Sequence, residues 1–347
     1  MITVLITGCS MHSNDLIDVL RDNYDDEEIR IVGINCEDTA LLRKGVDAGY
    51  VVPRITEDDY VPTLIDICKK EKVDVVLPFI TAELPVACRY KKQLEAIGTK
   101  VSITSKKSLD LVGDKTILAE MYPGLMPKQN VFIPGEGKDI SKEVTLFMTE
   151  NGYPDKKFCI KLPDKCGGLG FAIIDEEKGL DLSIYNKFGQ NRYITIRMLD
   201  QLLWHVKDRI IIQEYEYGTD YSVCILAEKG EVKYMLGFEA SLMSFGSAMF
   251  AEIKDNDEAY RIAVEITKDT GLDGNACFDF IMKEDGSVRL LEANPRVSAT
   301  LPFIAKAGLN LPYLRVVQLM GKDVSQYHPE VNRKLRMSKN YESEYFV

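Results

Sequence analysis

The alternation of short apolar strands with helical segments over the first hundred residues constrains the fold of this chain more than any other feature. Strands are expected at 2–7, 29–35 and 73–79, and helices up to about residue 21 and at 58–70 and 82–97. This alternation predicts βαβ units and a parallel sheet. Ligands of such sheets bind beyond the carboxyl ends of the strands, where the turns at 8–10 and 81–83 lie. The first turn, GCSMHS, lacks the G-x-G-x-x-G fingerprint, so a nicotinamide dinucleotide is not indicated.

The rest of the chain predicts a second unit that is richer in strands. A helix is expected from 105 to 121, and prolines and glycines then break the chain. Further helices are expected at 143–151, about 175–187, 195–207, 256–270 and about 310–320. Strands are expected at 158–162, 170–174 and 209–216, followed by a hairpin at 219–240 and a polar, tyrosine-rich tail after 321.

Composition limits the class of protein. The chain has 347 residues, 46% of them hydrophobic and 28% charged, which is typical of a globular protein with two or three domains. The net charge of −11 argues against nucleic acid as the main partner. We expect no membrane span, because no apolar run approaches the length that a bilayer requires. The N-terminus starts with a strand and lacks the pattern of a signal peptide, so a cytoplasmic protein is expected.

The cysteines and histidines favour free thiols over a metal centre. Eight cysteines are scattered without a C-x-x-C pair, and the three histidines are far apart. Buried free thiols in a reducing compartment are therefore expected, and a zinc site of cysteine and histidine ligands is not.

A hairpin at 278–296, FDFIMKEDGSVRLLEANPR, carries the strongest functional signal. Glu292 and Asn294 are two residues apart, so their side chains leave one face of the second strand. The KEDG turn can bring Asp279 on the first strand beside them. Three oxygen ligands then converge, with Arg296 further along the same face. Such a set suits Mg²⁺ that carries the phosphates of a nucleotide, and the guanidinium suits a phosphoryl group in transfer.

An ordinary surface hairpin with solvated acids is the alternative interpretation of this segment. Glu292 and Asn294 lie between Leu290, Leu291 and Pro295. An unpaired carboxylate is costly in such apolar surroundings, so a bound cation is favoured.

A glycine-rich loop after Lys161 is a candidate phosphate cradle. Gly167, Gly168 and Gly170 allow the backbone N–H groups to turn outward. A plain hairpin turn is the alternative, and the chain contains no GK[ST] sequence that would indicate a Walker A loop. Lys115 is either a surface lysine or a second ammonium group on a phosphate, and its sequence context leaves both open.

Four segments in this order resemble the ATP-grasp superfamily: GDK at 113–115, IKLPDKCGGLGF at 160–171, IIQEYEYGTDYSV at 211–223, and the 278–296 hairpin. The resemblance covers about 1–320 and is greatest to single-module relatives of the carbamoyl phosphate synthetase large subunit, of carboxylate–amine ligase type. It implies an α/β (α+β) fold with a parallel-sheet, Rossmann-like pre-ATP-grasp domain before a two-lobed ATP-grasp domain. The implied ranges are 1–105, 106–320 with a lid subdomain at about 125–212, and a C-terminal tail at 321–347.

The resemblance also implies roles for individual residues. Lys115 and Lys161 would hold the phosphates of ATP, and the loop from Cys166 to Gly170, with Gly167 and Gly168, would close over them. Asp279, Glu292 and Asn294 would bind one or two Mg²⁺ ions, which Mn²⁺ can replace. Arg296 and Lys161 would be catalytic and face the transferring phosphate.

The nucleoside contacts implied by the resemblance lie in QEYEYGTD. Gln213 and the backbone of Glu214 and Glu216 would meet the adenine, and Asp220 would bind the ribose hydroxyls. The family often has Glu where this chain has Gln213 and Asp220. The glycine loop also departs from the family pattern, with Asp-Lys-Cys at 164–166 in place of a longer glycine run.

Several polar residues are candidates for contacts with the other substrates. Glu83 resembles an acid common in these N-terminal domains and would hold an amine, or it would complement a helix dipole. Ser241, in the segment 241–247, would line an acceptor pocket. Ser298 and Thr300 would bind a substrate carboxylate.

The function that follows is an ATP-dependent carboxylate–amine ligase. A small-molecule carboxylate would form an acyl phosphate, and an amine would displace phosphate without a protein nucleophile. Carboxyphosphate and carbamate chemistry, as in carbamoyl phosphate synthesis, is an alternative, and a nucleotide-binding regulatory protein without catalysis is another. The expected partners are the carboxylate and the amine, and the family resemblance is compatible with a homodimer.

Overall fold

The computed structural model describes residues 1–38, 45–135, 139–162, 170–180, 193–244 and 247–340. These residues form two compact units, each assembled from separate parts of the chain. The larger, here called the large unit, comprises Met1–Gly113, Asp220–Phe280 and Glu292–Val347. The smaller, here called the small unit, comprises Asp114–Thr219 and Ile281–Leu291. The division predicted from sequence, with boundaries after 105 and 320, stays a prediction about folding domains.

The large unit begins with a parallel sheet, as predicted. Its strands are Ile2–Thr7 (β1), Ile29–Asn35 (β2), Ala48–Val51 (β3), Val75–Leu77 (β4) and Lys100–Val101 (β5). Their order is β3-β2-β1-β4-β5, and every pairing is parallel. All six residues of β1 are buried, which explains its unbroken apolar sequence. The connecting helices are Asn14–Arg21 (α1), Tyr60–Glu71 (α2) and Leu84–Glu95 (α3).

A second sheet lies in the small unit. Its strands are Gln129–Phe132 (β6), Phe158–Lys161 (β7), Phe171–Ile174 (β8), Tyr193–Ile194 (β9) and Ile210–Glu214 (β10). Their order in the sheet is β6-β10-β7-β8-β9. The associated helices are Lys115–Met121 (α5), Ile140–Glu150 (α6) and Ile196–Leu203 (α7). β10 pairs antiparallel with both β6 and β7, so its residues face neighbours on each side. β6 was not predicted, because it lies among the prolines and glycines that were expected to break the chain.

A third sheet consists of the strands Thr219–Glu228 (β11), Glu231–Ser244 (β12), Ser247–Ile253 (β13), Gly274–Met282 (β14), Val288–Asn294 (β15) and Arg336–Ser338 (β16). Their order in the sheet is β15-β14-β11-β12-β13-β16. The hairpin predicted at 278–296 is confirmed as β14 and β15. The helices of this region are Lys106–Val112 (α4), Asp257–Thr270 (α8), Leu301–Lys306 (α9) and Leu311–Leu319 (α10).

Three predictions of local structure were wrong or incomplete. The helix expected from 105 to 121 is two helices, because Asp114 caps α5 by accepting a hydrogen bond from the Thr116 amide at 2.8 Å. The helix expected at about 175–187 contains a 3₁₀ turn at Lys178–Leu180, and 181–192 lies outside the described residues. The tail after 321 contributes β16, which pairs with β13.

No helix among the described residues is long and apolar enough to span a bilayer.

Candidate active site

Two strands of the third sheet bring the predicted metal ligands together within the large unit. Asp279 lies on β14, and Glu292 and Asn294 lie on β15. The Asn294 amide Nδ2 donates to Asp279 Oδ2 at 2.9 Å and to Glu292 Oε1 at 3.0 Å. On the other side, Ser222 of β11 donates its hydroxyl to Asp279 Oδ1 at 2.6 Å. The two carboxylates therefore share one amide donor and lie on one face of the sheet.

The close approach of these acids changes their ionisation. Burial, and next to it the charge of Glu292, raise the pKa of Asp279 to about 7, while the hydrogen bonds from Ser222 and Asn294 act in the opposite direction. Asp220 of β11 adds to the rise as a further negative charge. The pair therefore carries an excess of negative charge that a cation would neutralise.

The donor set fits a hard divalent cation. Two carboxylates and an amide supply oxygen ligands of the kind that Mg²⁺ prefers. In the described part of the chain, no three His, Cys, Asp or Glu side chains form a group that could hold a metal ion, so the amide of Asn294 would be needed as the third ligand. Its Nδ2 faces the carboxylates here, and the amide would turn over to present Oδ1 to an ion.

Arg296 lies just beyond these ligands and is held by the N-terminal sheet. Its Nε donates to the Thr81 hydroxyl at 2.8 Å, and its Nη1 donates to the Val297 carbonyl at 3.0 Å. Thr81 belongs to the 3₁₀ turn that follows β4. Among the described residues, Arg296 has no carboxylate partner, so its charge is available to an anion. Thr81 was not predicted as a site residue, although its turn was placed at a ligand-binding edge.

The serine and threonine candidates after Arg296 contact one another. Ser298 Oγ lies 3.1 Å from Thr300 Oγ1 and 3.1 Å from Cys277 Sγ. Cys277 precedes Asp279 by two residues on β14, so these hydroxyls lie in the region of the metal ligands. Their role in binding a substrate carboxylate stays a prediction.

Ser241 occupies a different kind of position from the one expected. The segment 241–247 was expected to follow the hairpin at 219–240, but β12 continues through Ser244 and β13 starts at Ser247. The register of the two strands shifts between Ala240 and Leu242, which marks an irregularity at Ser241. The exposed Ser241 therefore lies at an irregular position of β12, and its substrate role stays a prediction.

The carboxylate of Glu83 accepts several internal hydrogen bonds. This carboxylate is fully buried and accepts bonds from the hydroxyls of Tyr60 at 2.5 Å, Tyr90 at 2.9 Å, and Thr7. Burial raises the pKa of Glu83, against the effect of these three donors. Three hydroxyl groups thus already bind this carboxylate, and the role of Glu83 in holding an amine stays a prediction. The immediate effect of Glu83 is to fix the turn that carries Thr81.

The phosphate-binding candidates of the small unit are linked by a chain of hydrogen bonds. Lys161 Nζ of β7 donates to Gln213 Oε1 at 2.5 Å, and Gln213 Nε2 of β10 donates to Gln129 Oε1 at 2.6 Å. Gln129 of β6 then donates to the backbone carbonyl of Lys115 at 3.1 Å. Both polar atoms of the Gln213 side chain are used in this chain. Gln129 was not predicted, because nothing in its local sequence relates it to Lys161 or Lys115.

Lys115 is the first residue of α5, and its neighbour Asp114 is held firmly. Arg209 Nη1 lies 3.0 Å from Asp114 Oδ2, and Thr116 donates to Oδ1 through its amide and its hydroxyl. Burial raises the pKa of Asp114, but these hydrogen bonds outweigh it and the net direction is downward. The cap therefore fixes where the helix starts and where the Lys115 backbone lies.

Glu214 and Glu216 form ion pairs within the small unit. Lys156 Nζ lies 2.7 Å from Glu214 Oε1, and Lys283 Nζ lies 2.8 Å from Glu216 Oε2. The Glu214 amide donates to the Lys128 carbonyl at 2.8 Å. These contacts order the segment after β10, whose predicted role is contact with adenine.

The glycine loop is only partly within the described residues. Gly170 has a φ of +69°, and a Cβ there would lie 2.7 Å from Leu162 Cδ1, so a side chain would be strained at this position. The backbone closes here through a bond from the Leu162 amide to the Gly170 carbonyl at 3.1 Å. Gly167 and Gly168 lie outside the described residues.

Two family models match the chain. The PylC-like N-terminal domain matches residues 4–102, and the model for ATP-grasp in the biosynthetic pathway with Ter operon matches residues 207–343. The chain is therefore similar to PylC-like proteins over its N-terminal part and to ATP-grasp proteins over its C-terminal part. Over most of its length it is also homologous to the large chain of carbamoyl phosphate synthase. The Archaeoglobus fulgidus large chain is 26% identical over 329 residues, a match that covers 90% of this chain and 28% of that protein.

Solved structures share the fold at low sequence identity. The ADP complex of N5-carboxyaminoimidazole ribonucleotide synthetase matches with a TM-score of 0.65 and 13% identity, covering 96% of this chain and 80% of that one. L-Amino acid ligase from Bacillus licheniformis matches with a TM-score of 0.60 and 14% identity, covering 95% and 78%. The predicted α/β fold with an N-terminal parallel sheet is thereby confirmed.

Proposed function

We propose that this chain is an ATP-dependent carboxylate–amine ligase that acts on small molecules. The observation that carries the proposal is the cluster of Asp279, Glu292 and Asn294 followed by Arg296. Two half-buried carboxylates that share one amide donor favour a divalent cation. A guanidinium without a carboxylate partner among the described residues favours an anionic substrate beside that cation.

The chemistry proceeds in two displacements. A carboxylate oxygen of the first substrate attacks the γ-phosphorus of ATP, the bond to the β,γ-bridging oxygen breaks, and ADP leaves with the formation of an acyl phosphate. The amine nitrogen then attacks the acyl carbon, the carbon–oxygen bond to phosphate breaks, and an amide, phosphate and a proton result. Arg296 and Lys161 neutralise the charge on the phosphoryl oxygens. Asp279, Glu292 and Asn294 would hold a magnesium ion, which would polarise the phosphates.

The remaining candidates take supporting roles in this proposal. Lys115 and the loop with Gly167, Gly168 and Gly170 bind phosphate, the Glu214–Glu216 backbone meets adenine, and Asp220 binds the ribose. Gln213 is assigned a different role from the adenine contact first expected. Its amide bonds to Lys161 and Gln129, so it positions the Lys161 ammonium.

Carboxyphosphate chemistry is the second candidate function, because the chain is homologous to the carbamoyl phosphate synthase large chain. In that case bicarbonate takes the place of the organic carboxylate and ammonia or an amine accepts the carboxyl group. The chain spans 28% of the length of that relative, so the activity of the whole synthase is not carried over. A regulatory protein that binds nucleotide without turnover is the third candidate.

One assay separates these functions. Hydroxylamine serves as a common acceptor while the acid is varied across amino acids, hydroxy acids, fatty acids and bicarbonate, and ADP and hydroxamate are both measured. Equal amounts of ADP and hydroxamate with an organic acid support the ligase. Stimulation of ADP release by bicarbonate alone supports carboxyphosphate chemistry. Tight binding of MgATP without stimulation by any acid contradicts both and favours the regulatory protein.

The Glu292→Gln variant tests the metal ligands directly. We expect acid-dependent ADP release to fall by at least about a hundredfold, because loss of a metal-ligand charge removes several kcal/mol of transition-state stabilisation. Glu284→Gln is the matched control, since Glu284 is exposed in the turn of the same hairpin. Activity of Glu292→Gln equal to that of the control would remove this residue from the site.

A further inference from the structure

A cavity of about 210 Å³ lies in the large unit, at the carboxyl ends of the parallel strands. Its walls come from the turns after β1, β2, β3 and β4. Its lining residues include Ile34, Val52, Arg54 and Ile55. None of its lining residues is a candidate metal ligand.

The strand order of the parallel sheet explains why a ligand would bind at the position of this cavity. The order β3-β2-β1-β4-β5 means that the chain moves outward in one direction after β1 and in the other direction from β4. The crevice between the ends of β1 and β4 is therefore the switch point at which open α/β sheets bind their ligands. Gly8 follows β1 and Ile80 follows β4, and both line the cavity.

The walls of the cavity are mainly hydrocarbon. Ile34 and Val52 are buried, and Ile55 and Ile80 add partly exposed apolar surface. Tyr60 and Glu83 also line the cavity. The Tyr60 hydroxyl donates a hydrogen bond to Glu83 Oε1 at 2.5 Å, so these polar atoms already bind each other. These walls suit the apolar body of a ligand.

Arg54 supplies the charge that the walls lack. It is exposed, it lines the cavity, and its side chain forms no hydrogen bond or ion pair within the described part of the chain. Other arginines of the same sheet region do have partners: Arg21 pairs with Asp47 at 2.7 Å and Arg30 pairs with Glu71 at 2.6 Å. A guanidinium binds a carboxylate through two parallel hydrogen bonds, so Arg54 selects an anion.

The volume limits the size of the ligand. Pockets for drug-sized molecules occupy roughly 300–1,000 Å³, so a cavity of about 210 Å³ accommodates a smaller ligand. A nucleotide is too large and too polar for it. An acid with a short branched or aromatic body satisfies the volume, the apolar walls and the single cation.

We infer that this cavity binds a small apolar monocarboxylate, with the carboxylate on Arg54 and the hydrocarbon body against Ile34, Val52 and Ile55. The binding requires neither nucleotide nor metal. Binding of the acid can therefore be tested independently of the proposed ligase activity. The Glu292→Gln variant is expected to bind the acid as the wild type does.

Calorimetry without nucleotide tests the inference with matched probes. The acids are 4-methylpentanoate and 3-phenylpropanoate, and the counterpart of the first is 3-methylbutylamine, which has a similar branched body and the opposite charge. We expect saturable binding of at least one acid and none of the amine. Binding of neither acid, or binding of the amine as tight as that of the acid, would overturn the inference.

Variants locate the site. Arg54→Ala is expected to weaken acid binding at least about tenfold, which corresponds to about 1.4 kcal/mol, and Arg54→Lys is expected to lose less. Arg89→Ala is the control, because Arg89 is an exposed arginine of α3 outside the cavity. Ile55→Trp is expected to abolish binding by filling the cavity, with an unchanged circular dichroism spectrum. Unchanged affinity in both Arg54→Ala and Ile55→Trp would place any bound acid elsewhere.

Discussion

The side chains of the candidate metal site depend on one another at the scale of single residues. Asn294 donates to both Asp279 and Glu292, so one amide partly compensates two carboxylates. Ser222 adds a third donor. This arrangement stabilises a pair of acids that would otherwise repel each other, and it leaves their ionisation sensitive to pH and to cations.

The ionisation of Asp279 predicts the pH dependence of magnesium binding. Its pKa is raised to about 7, chiefly by burial and then by Glu292. A carboxyl group with a raised pKa binds a proton more tightly in the folded state than in the unfolded state. Without metal, its contribution to the free energy of unfolding therefore grows as the pH falls from about 8 towards the unfolded pKa of about 4. Protons and Mg²⁺ compete for the group, so the affinity for Mg²⁺ is expected to fall as the pH drops below about 7.

Thermal unfolding at pH 5.5 and pH 8 measures both effects. Relative to Asp279→Asn, the wild type without metal is expected to be more stable at pH 5.5 than at pH 8, and Mg²⁺ is expected to stabilise the wild type mainly at pH 8. The same shift with Mg²⁺ at both pH values would contradict the assignment.

Glu83 predicts a large effect on stability. Truncation in Glu83→Ala leaves three buried hydroxyl donors without their acceptor, so the free energy of unfolding is expected to fall by at least about 2 kcal/mol. Glu83→Gln keeps one acceptor oxygen and is expected to lose less. Glu95→Ala, at an exposed position of α3, is the control and is expected to change little. Urea denaturation measures the difference, and equal stability of Glu83→Ala and the control would show that the hydroxyls find other partners.

At the scale of secondary-structure elements, the strands of the small unit place Lys161. β6, β10 and β7 are neighbours, and they carry Gln129, Gln213 and Lys161 in one chain of hydrogen bonds. The lysine side chain is therefore oriented by two strands besides its own.

The Gln213→Leu variant tests this orientation. Loss of the acceptor for Lys161 is expected to weaken ADP binding at least about tenfold, since a hydrogen bond of a charged group contributes roughly 1.5–3 kcal/mol. Gln201→Leu is the control, because Gln201 is exposed on α7. Calorimetry measures the affinities. ADP affinity in Gln213→Leu equal to that of the control would show that the bond does not position Lys161 for nucleotide.

Local sequence pattern was enough to predict the elements that are buried on both faces or joined by a short turn. β1 is an unbroken apolar run, and the KEDG turn closes β14 and β15 through a Gly286-to-Lys283 backbone bond of 2.9 Å. β6 and β16 were missed, because their residues are polar or surrounded by proline and they become strands only by pairing with neighbours. The helix expected across Gly113 is broken, because Asp114 accepts a hydrogen bond from the Thr116 amide and caps a new helix that starts at Lys115.

Local sequence pattern also predicted only some of the residues of the candidate site. Asp279, Glu292 and Asn294 could be placed together because a hairpin relates them through a known register. Thr81 and Gln129 could not, because their partners Arg296 and Lys115 are distant in sequence or bonded through the backbone. The burial of Glu83 was missed because its three hydroxyl partners come from separate elements.

For the whole molecule, the ATP-grasp motifs are distributed over two compact units that do not follow the chain in simple succession. The large unit holds the candidate metal ligands and Arg296, and the small unit holds Lys115 and Lys161. Each unit has its own ordered hydrogen-bond network around its candidate residues. The proposed activation of a carboxylate by ATP would give a role to both networks.

Transfer of ¹⁸O from substrate to phosphate tests this activation most directly. An acid that supports turnover is labelled with ¹⁸O in its carboxylate, and the phosphate released in unlabelled water with hydroxylamine as acceptor is analysed by mass spectrometry. Attack of the carboxylate on the γ-phosphorus predicts one ¹⁸O in each phosphate, matched by one hydroxamate. Unlabelled phosphate at full turnover would mean that water, and not the acid, receives the phosphoryl group, and would contradict the proposed ligase.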